Sequence, residues 1–446
     1  MAVSVRPPQL TSAVAQVLAE RLVTRQATVA IIGLGYVGLP LAVECARCRF
    51  RVVGVDNDPT KVAQIIAGRS YILDVSSSTL GSFVSSGQIR ASREYGIIAD
   101  ADVIIICVPT PITKNKEPDV SFIAQAVKTL SQYLAAGQLV ILRSTSYPET
   151  TEELVRPILE ATGLKVGRDV FLAFAPERIN PGNRIFAMQD IPVVVGGCDP
   201  LSADLSMLFF RQMESTVVQV SNPTAAEMVK LLENVFRNVN IALVNQLRML
   251  CDRMGLDVWE IVEAAATKPY GFMSFKPGLV GGHCIPVDPY FLAWKAREYD
   301  FHADFIELAA RVNDEMPYFV VNKIIDALNG RHKAAGGASV LALGVTFKKD
   351  VDDCRHSPAL KVIELLAARG LRVSYHDPYA SEVAVNGSRY CSVPLSDETL
   401  RAADCVVILT DHSCVPYDRV LANAKIIVDT RNATQGASGA ASVVRV

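Results

Sequence analysis

Cys284 lies in Gly281-Gly-His-Cys-Ile-Pro-Val-Asp-Pro-Tyr290, a stretch whose residue types suit covalent chemistry. A Gly-Gly pair lets backbone come close to a bound molecule. The thiol follows two residues later, Asp288 stands four beyond it, and Pro286 and Pro289 stiffen the turn between. A thiolate so placed can attack a carbonyl and hold an aldehyde as an adduct. A lone cysteine is more often an inert, buried apolar residue, so its company elsewhere in the chain decides the reading.

Two further constellations supply that company. Residues 223–254 have no interior glycine or proline and read as one long helix, on which Lys230 and Asn234, one turn apart, share a face. Upstream, an apolar strand (residues 27–32) runs into Gly33-Leu-Gly35-Tyr-Val-Gly38, a helix can continue over 39–48, and a second strand (51–55) ends in Asp56. Strand, glycine turn, helix, strand and acid form a dinucleotide fingerprint in its required context. The first glycine permits the tight turn and the second admits a pyrophosphate to the helix N-terminus. The third lets helix and strand pack closely. Asp56 is placed to accept from both hydroxyls of an adenosine ribose and to repel a 2′-phosphate, so NAD is expected over NADP. Gly33, Gly35, Tyr36, Val37, Gly38 and Asp56 are the first candidate cofactor contacts.

The elements that must position these residues repeat along the chain. Further strands are expected at 103–108, 139–142 and 170–174, ending in Pro109-Thr-Pro111, Ser144-Thr145 and Pro176-Glu-Arg178. In a doubly wound sheet the ligand lies beyond the carboxyl ends of the strands, where these turns fall. Around residue 338 the pattern restarts, with a helix at 358–369, a strand ending at Asp377, and strands at 405–410 and 425–429. The expected class is α/β: two Rossmann-like doubly wound domains joined by a long helix and a helical region. The boundaries are 1–212 for the first, 213–316 for the helical middle and 317–446 for the second. A short helical leader is expected over 9–25.

Composition narrows the partners. With 446 residues there is room for two or three domains, and a net charge of −2 gives no field for nucleic acid or anionic membrane. No apolar run reaches the length of a spanning helix and the N-terminus lacks a secretory pattern, so a cytoplasmic protein is expected. Ten irregularly spaced cysteines read as reduced thiols. Cys45 and Cys48 form a C-x-x-C without a second pair and read as helix-face residues. The six histidines show no ligand spacing, so no metal site is expected.

The motifs GLGYVGLP, CVPTP, STSYPETT, PERINPGN, AEMVKLLEN, GGHCIPVDPY and FKKDVDDCRHSP occur in this order. Through them, and over nearly its whole length, the chain resembles the UDP-glucose/GDP-mannose dehydrogenase family. His-Cys-Ile-Pro-Val-Asp and KKDVDDCRHSP resemble its bacterial UDP-N-acetylglucosamine 6-dehydrogenase branch. The resemblance implies two successive NAD-dependent oxidations of a sugar C6 hydroxyl to a uronic acid, for a surface polysaccharide precursor, by a homodimer or higher oligomer. It makes Cys284 the nucleophile, Lys230 and Asn234 the pair stabilising the oxyanion, and Asp288 their acid partner. Glu177 then helps to hydrolyse the thioester, and Thr145 positions water. Pro109, Thr110, Thr145 and Arg355 fall near the cofactor. Glu177, Arg178, Lys230, Asn234, Gly281, Lys348 and Arg431 fall near the UDP-sugar. His283 can lower the thiol pKa, shape the loop or touch the cofactor.

Three positions depart from the family pattern. The segment Pro277-Gly-Leu-Val-Gly-Gly-His-Cys284 is one residue short, Asn180 stands where an acid is usual, and Glu149 replaces a common glycine at an expected helix start. UDP-glucose, UDP-N-acetylmannosamine and UDP-N-acetylgalactosamine stay open as substrates beside UDP-N-acetylglucosamine. Two rivals remain: a two-electron dehydrogenase of the hydroxyacid type, which needs neither Cys284 nor a second nucleotide domain, and a non-catalytic nucleotide sensor.

Overall fold

The structure, a computed structural model, describes residues 12–72, 74–113, 115–178, 190–213 and 216–446. Asn180 and residues 9–11 of the expected leader lie outside the described residues; the leader helix is described over Ala13–Val23. The chain divides into two compact units, Met1–Glu233 with Trp294–Tyr299, and Asn234–Ala293 with Asp300–Val446.

The first unit is built on eight strands: β1 (Thr28–Ile32), β2 (Arg51–Val55), β3 (Ile89–Ser92), β4 (Val103–Ile106), β5 (Leu139–Leu142), β6 (Phe171–Phe174), β7 (Val193–Gly197) and β8 (Val217–Gln219). Their order is β3-β2-β1-β4-β5-β6-β7-β8, parallel except where β6 meets β7. Alternate residues face opposite sides of the sheet, and helices cover both. Val29, Ile31, Val103 and Ile105 enter one core, while Ala30, Ile32, Ile104 and Ile106 enter the other. Such strands are apolar throughout because both faces are buried.

The second unit repeats the plan with β9 (Ser339–Leu343), β10 (Arg372–His376), β11 (Glu382–Val385), β12 (Ser388–Cys391), β13 (Cys405–Ile408), β14 (Ile426–Asp429) and β15 (Ser442–Arg445). The parallel sheet runs β10-β9-β13-β14-β15, and β11 and β12 form a separate hairpin. Val340 and Ala342 face one core, Leu341 and Leu343 the other. The helix Asp304–Asn329 runs unbroken past residue 316, with Pro317 inside it.

Six strands were not read from sequence: β3, β7, β8, β11, β12 and β15. In β7 the reason is local. A Cβ on Gly196 would meet the Asn222 carbonyl at 2.1 Å, and one on Gly197 the Ala203 nitrogen at 2.3 Å. These glycines permit close packing, and they leave only Val193–Val195 as a branched run to announce the strand.

The long helix, Pro223–Met254, departs from the usual amphipathic pattern: polar side chains share its buried face with Leu231, Val235, Ala242 and Val244. Glu227, Lys230, Asn234, Asn238, Asn245 and Arg248 recur three, four or seven residues apart, and all are buried. Met228, Leu232, Phe236, Leu243, Leu247, Leu250 and Met254 are exposed. Polar side chains inside and apolar ones outside mark a helix whose stability is subordinate to what each face must touch.

Candidate active site

At the carboxyl end of the first sheet the fingerprint has the geometry that a dinucleotide requires. Gly33 has φ +91°, and a Cβ there would meet the Cys107 carbonyl at 2.6 Å. A Cβ on Gly38 would lie 1.8 Å from the Gly33 carbonyl oxygen, so this glycine closes helix onto strand. Around Gly35 the same test finds open space, leaving its backbone approachable. Tyr36 is partly exposed, and Val37 precedes the helix Gly38–Arg47. A cavity of about 480 Å³ is lined by Gly33, Asp56, Lys61, Arg93 and Pro109 among others. Asp56 accepts from the Leu34 and Asp58 amides at 2.8 and 2.9 Å, and Lys61 Nζ lies 3.4 Å away. The free glycine face, the helix N-terminus and the carboxylate at the cavity fit the pyrophosphate and ribose of NAD.

Beyond β4 and β5 two loops are tied together. Ser144 Oγ donates to Val108 O at 2.8 Å, linking the Pro109-Thr110 turn to the loop that carries Thr145. Glu177, past β6, is held through both oxygens. Arg143 Nε and Nη2 reach Oε2 at 3.0 and 2.7 Å, and the Arg178 amide donates to Oε1 at 2.8 Å. The Arg178 guanidinium, expected near substrate, is turned onto Glu233 at 2.6 Å and the Pro192 carbonyl at 2.5 Å.

Glu149 sits at the start of a helical segment, Thr150–Val155, but its carboxylate does not cap it. Its φ of +79° is left-handed, a conformation that glycine adopts without cost. The capping acid is Glu227 of the long helix, wholly buried, which accepts from the Glu149 amide (2.6 Å), the Thr151 amide (2.9 Å) and Thr151 Oγ1 (2.7 Å). Burial pushes the Glu227 carboxyl up to about 7 despite those hydrogen bonds. The Glu149 side chain instead meets Lys295 at 2.7 Å and the Tyr299 hydroxyl. Glu149, Glu153 and Glu298 converge as cation ligands would. The cation among them is Lys295, 2.9 and 2.6 Å from the latter two. Burial opposes its charge, but the hydrogen bonds it donates to Glu149, Glu298 and Glu153 outweigh that and raise its pKa. Cys45 of the C-x-x-C is buried in the core with its Sγ against Met213 Sδ.

In the second unit, the loop before Cys284 is anchored at several points. Asn245 exchanges two hydrogen bonds with the Gly278 backbone, at 2.8 and 3.1 Å. Asn238 Nδ2 donates to Ile285 O at 3.0 Å, and Arg431 Nη2 donates to Leu279 O at 3.1 Å. The loop, though one residue short, therefore has a held path. Arg431 Nε also donates to Leu409 O, and burial lowers the pKa of this guanidinium. Gly281 and Gly282 serve packing on their Cβ sides: a Cβ on either would meet Phe347 within 3.0 Å, and one on Gly281 also Pro358 at 2.6 Å. Cys284 is only partly buried. Buried Asp288 opens the helix Asp288–Ala296 and accepts from Asn234 Nδ2 at 2.5 Å.

His283 is directed at Asp353, Nε2 to Oδ2 at 2.8 Å. Arg355 grips the same carboxylate at 2.8 Å. Burial would raise the Asp353 pKa, but hydrogen bonds from His283 and Arg355 hold it well below the carboxylate range. His283 thus ties the loop that carries the thiol to Asp353.

The second sheet also has a glycine turn, at Gly344, and an acid ending its second strand, Asp377. Unlike Asp56, Asp377 is fully enclosed. It accepts from the Val345, Thr346, Tyr379 and Ala380 amides and from His412. An acid so committed cannot grip a ribose. Lys348 lies on the loop that follows Gly344.

Four side chains that hold the expected residues or their loops were not read from sequence: Arg143, Glu227, Asp353 and His412. A signal existed for Glu227, an acid three residues before Lys230 on the same helical face. Arg143 was signalled by a charge directly after the apolar run 139–142.

Three family models match in sequence: the NAD binding domain of the UDP-glucose/GDP-mannose dehydrogenase family over residues 27–214, its central domain over 224–315, and its UDP binding domain over 341–436. A UDP-N-acetyl-D-glucosamine 6-dehydrogenase of Pseudomonas aeruginosa is 36% identical over 388 residues, covering 86% of this chain and 90% of that one. A UDP-N-acetyl-D-mannosamine dehydrogenase of Pyrococcus horikoshii is 35% identical over 411 residues, covering 91% and 95%. The solved structure of a UDP-D-ManNAc dehydrogenase from Pyrococcus horikoshii superposes with a TM-score of 0.86 at 33% identity, covering 94% of this chain and 99% of that one. With a thiol on an anchored loop, a dinucleotide turn and a second nucleotide module, the chain belongs to the UDP-glucose/GDP-mannose dehydrogenase family and is an NAD-dependent oxidoreductase acting on an alcohol carbon.

Proposed function

We propose that this enzyme oxidises the C6 hydroxyl of a UDP-N-acetylhexosamine, UDP-N-acetylglucosamine in preference, to the uronic acid in two steps on one cysteine. The observation that carries the reading is a partly exposed Cys284 on a loop held by Asn238 and Asn245, beside the buried Asn234–Asp288 pair. NAD, when bound, takes a hydride from C6 at each oxidation. The first oxidation removes a hydride and a proton from the alcohol and leaves an aldehyde; Asp288, through water, receives the proton. The Cys284 thiolate adds to the aldehyde carbon to give a thiohemiacetal, whose oxyanion Lys230 and Asn234 stabilise. Loss of a second hydride and a proton gives the thioester. Water, placed by Thr145 and assisted by Glu177, breaks the C–S bond and releases carboxylate and thiol. Arg143 holds Glu177 Oε2 at 2.7 Å and so fixes where this carboxylate stands.

Lys348 and Arg431 are assigned to the UDP-sugar, and Gly281 contributes through its backbone. Arg178 is assigned to shaping the substrate side through Glu233. The cofactor takes Tyr36, Val37, Pro109, Thr110 and Arg355 as neighbours. The parts 1–212, 213–316 and 317–446 act as cofactor, central and UDP-sugar domains in the cytoplasm, supplying a polysaccharide precursor. The outward apolar stripe of the long helix supports a second copy of this chain as its partner.

Preference for UDP-N-acetylglucosamine rests on buried Val287, where UDP-glucose enzymes of the resemblance carry lysine, and on the branch motifs. NADH counted against limiting substrate, over a panel of UDP-hexoses with mass analysis of product, tests both parts. Two NADH per sugar is expected, with no net NADH from Cys284→Ser although that variant still binds NAD. One NADH per sugar rejects the covalent route, and turnover of UDP-glucose alone rejects the substrate.

A further inference from the structure

We propose that His412 is a positioning residue for substrate binding: a single buried imidazole clamps both ends of the loop 345–350 and so fixes Lys348. This rests on the assignment of Lys348 to the UDP-sugar made above. The His412 side chain is wholly buried. Its Nδ1 accepts from the Asp350 amide at 3.0 Å, so that nitrogen carries the lone pair. The proton therefore sits on Nε2, which faces Asp377 Oδ2 at 3.1 Å.

Asp377 passes the constraint on. The same Oδ2 accepts from the Val345 amide at 2.6 Å and the Thr346 amide at 3.2 Å, holding the start of the loop. At the other end Asp350 has φ +59°, and its carboxylate receives the Ser413 amide and hydroxyl at 2.9 and 2.6 Å. Between the two ends, Thr346 Oγ1 donates to the Lys348 carbonyl at 2.9 Å, and Thr410 Oγ1 donates to the Thr346 carbonyl at 2.7 Å. The Tyr379 ring covers the imidazole at 5.0 Å. Only an imidazole offers an acceptor and a donor at these two points from one rigid ring. The strand-end acid that a dinucleotide module spends on ribose is spent here on shaping the neighbouring loop.

In the full-length enzyme, His412→Asn keeps an acceptor near Asp350 and loses the donor to Asp377, while His412→Gln does the reverse. Each is expected to raise the KM for UDP-sugar roughly tenfold, the worth of a lost buried hydrogen bond, and to leave the KM for NAD within about twofold. Combined with Lys348→Met, neither should raise KM beyond the value of Lys348→Met alone, since both act through one group. Titration of UDP itself by calorimetry reads the same effect without turnover, so failure of the reaction assigned above would leave this result readable. An unchanged constant in variants that still bind NAD overturns the proposal. So does an effect that multiplies with that of Lys348→Met, or a Lys348→Met enzyme with wild-type affinity. Should the imidazole variants fail to fold, Ser413→Ala, which removes the hydroxyl donor to Asp350, carries the test. A smaller rise in the same constant supports the clamp, and no rise overturns it.

Discussion

Asp56 shows how far one carboxylate decides cofactor choice. Its oxygens are oriented by the Leu34 and Asp58 amides, and Lys61 stands 3.4 Å away with Arg93 lining the same cavity. The acid pairs with Lys61. Asp56→Ala is expected to lower the NAD-over-NADP ratio of kcat/KM by about ten- to a hundredfold, because a 2′-phosphate would then meet Lys61 and Arg93 unopposed, and a charge-assisted hydrogen bond is worth about 1.5–3 kcal/mol. Steady-state kinetics with both cofactors measures it; an unchanged ratio places the discrimination elsewhere. At this scale the sequence was informative about chemistry and poor on restraint. Cys284, Asp288, Lys230 and Asn234 stood out as candidates by type and spacing, and only the family resemblance gave them roles. That the Arg178 fork closes on Glu233, or that Arg143 seizes Glu177, depends on contacts across tens of residues that no spacing encodes. Gly281 was legible as a position of close approach, but the thing approached on its Cβ side is Phe347 of the same unit.

Elements are where polar burial has to be justified, and Glu227 is the clearest instance. Its carboxylate fixes the start of the segment Thr150–Val155 to the long helix three residues before Lys230. That service has a cost. A carboxyl raised from 4.5 to about 7 in the folded state holds its proton where the unfolded chain has lost it. Its contribution to stability is complete below pH 4.5 and is lost as pH rises through about 7, a change on the order of 3 kcal/mol. Denaturant titrations from pH 4.5 to 8 should show wild type losing stability relative to Glu227→Gln by that amount, and parallel profiles would refute the assignment. Catalysis runs the other way: the protonated acid turns an O–H toward donors, so kcat should fall below pH 7 in wild type more than in the variant. Strands were legible where an apolar run was unbroken, as in β1 and β4, and the long helix from its lack of interior glycine or proline. Short strands interrupted by packing glycines, such as β7, were not, and neither was the left-handed turn at Glu149.

For the whole molecule, the exposed stripe from Met228 to Met254 points to association through the long helix. The particle mass in solution should be at least twice 48.3 kDa, and Leu243→Glu with Leu247→Glu should return it to one chain, as light scattering over micromolar concentrations would show. A wild-type monomer sinks that reading. The two-module plan was legible from the return of strand, turn and helix near residue 338, but the different fate of the two strand-end acids was not. Asp56 faces a cavity, whereas Asp377 is sealed behind His412. Kinetically, the enclosure of Asp377 separates two populations of inhibitors. Of the two strand-end acids, only Asp56 is open to a ribose, so NADH should compete with NAD and not with UDP-sugar. UDP should show the mirror pattern. A flux through the enzyme can then be throttled by the redox state of the cofactor pool and by the uridine nucleotide pool independently, each acting as a separate dial.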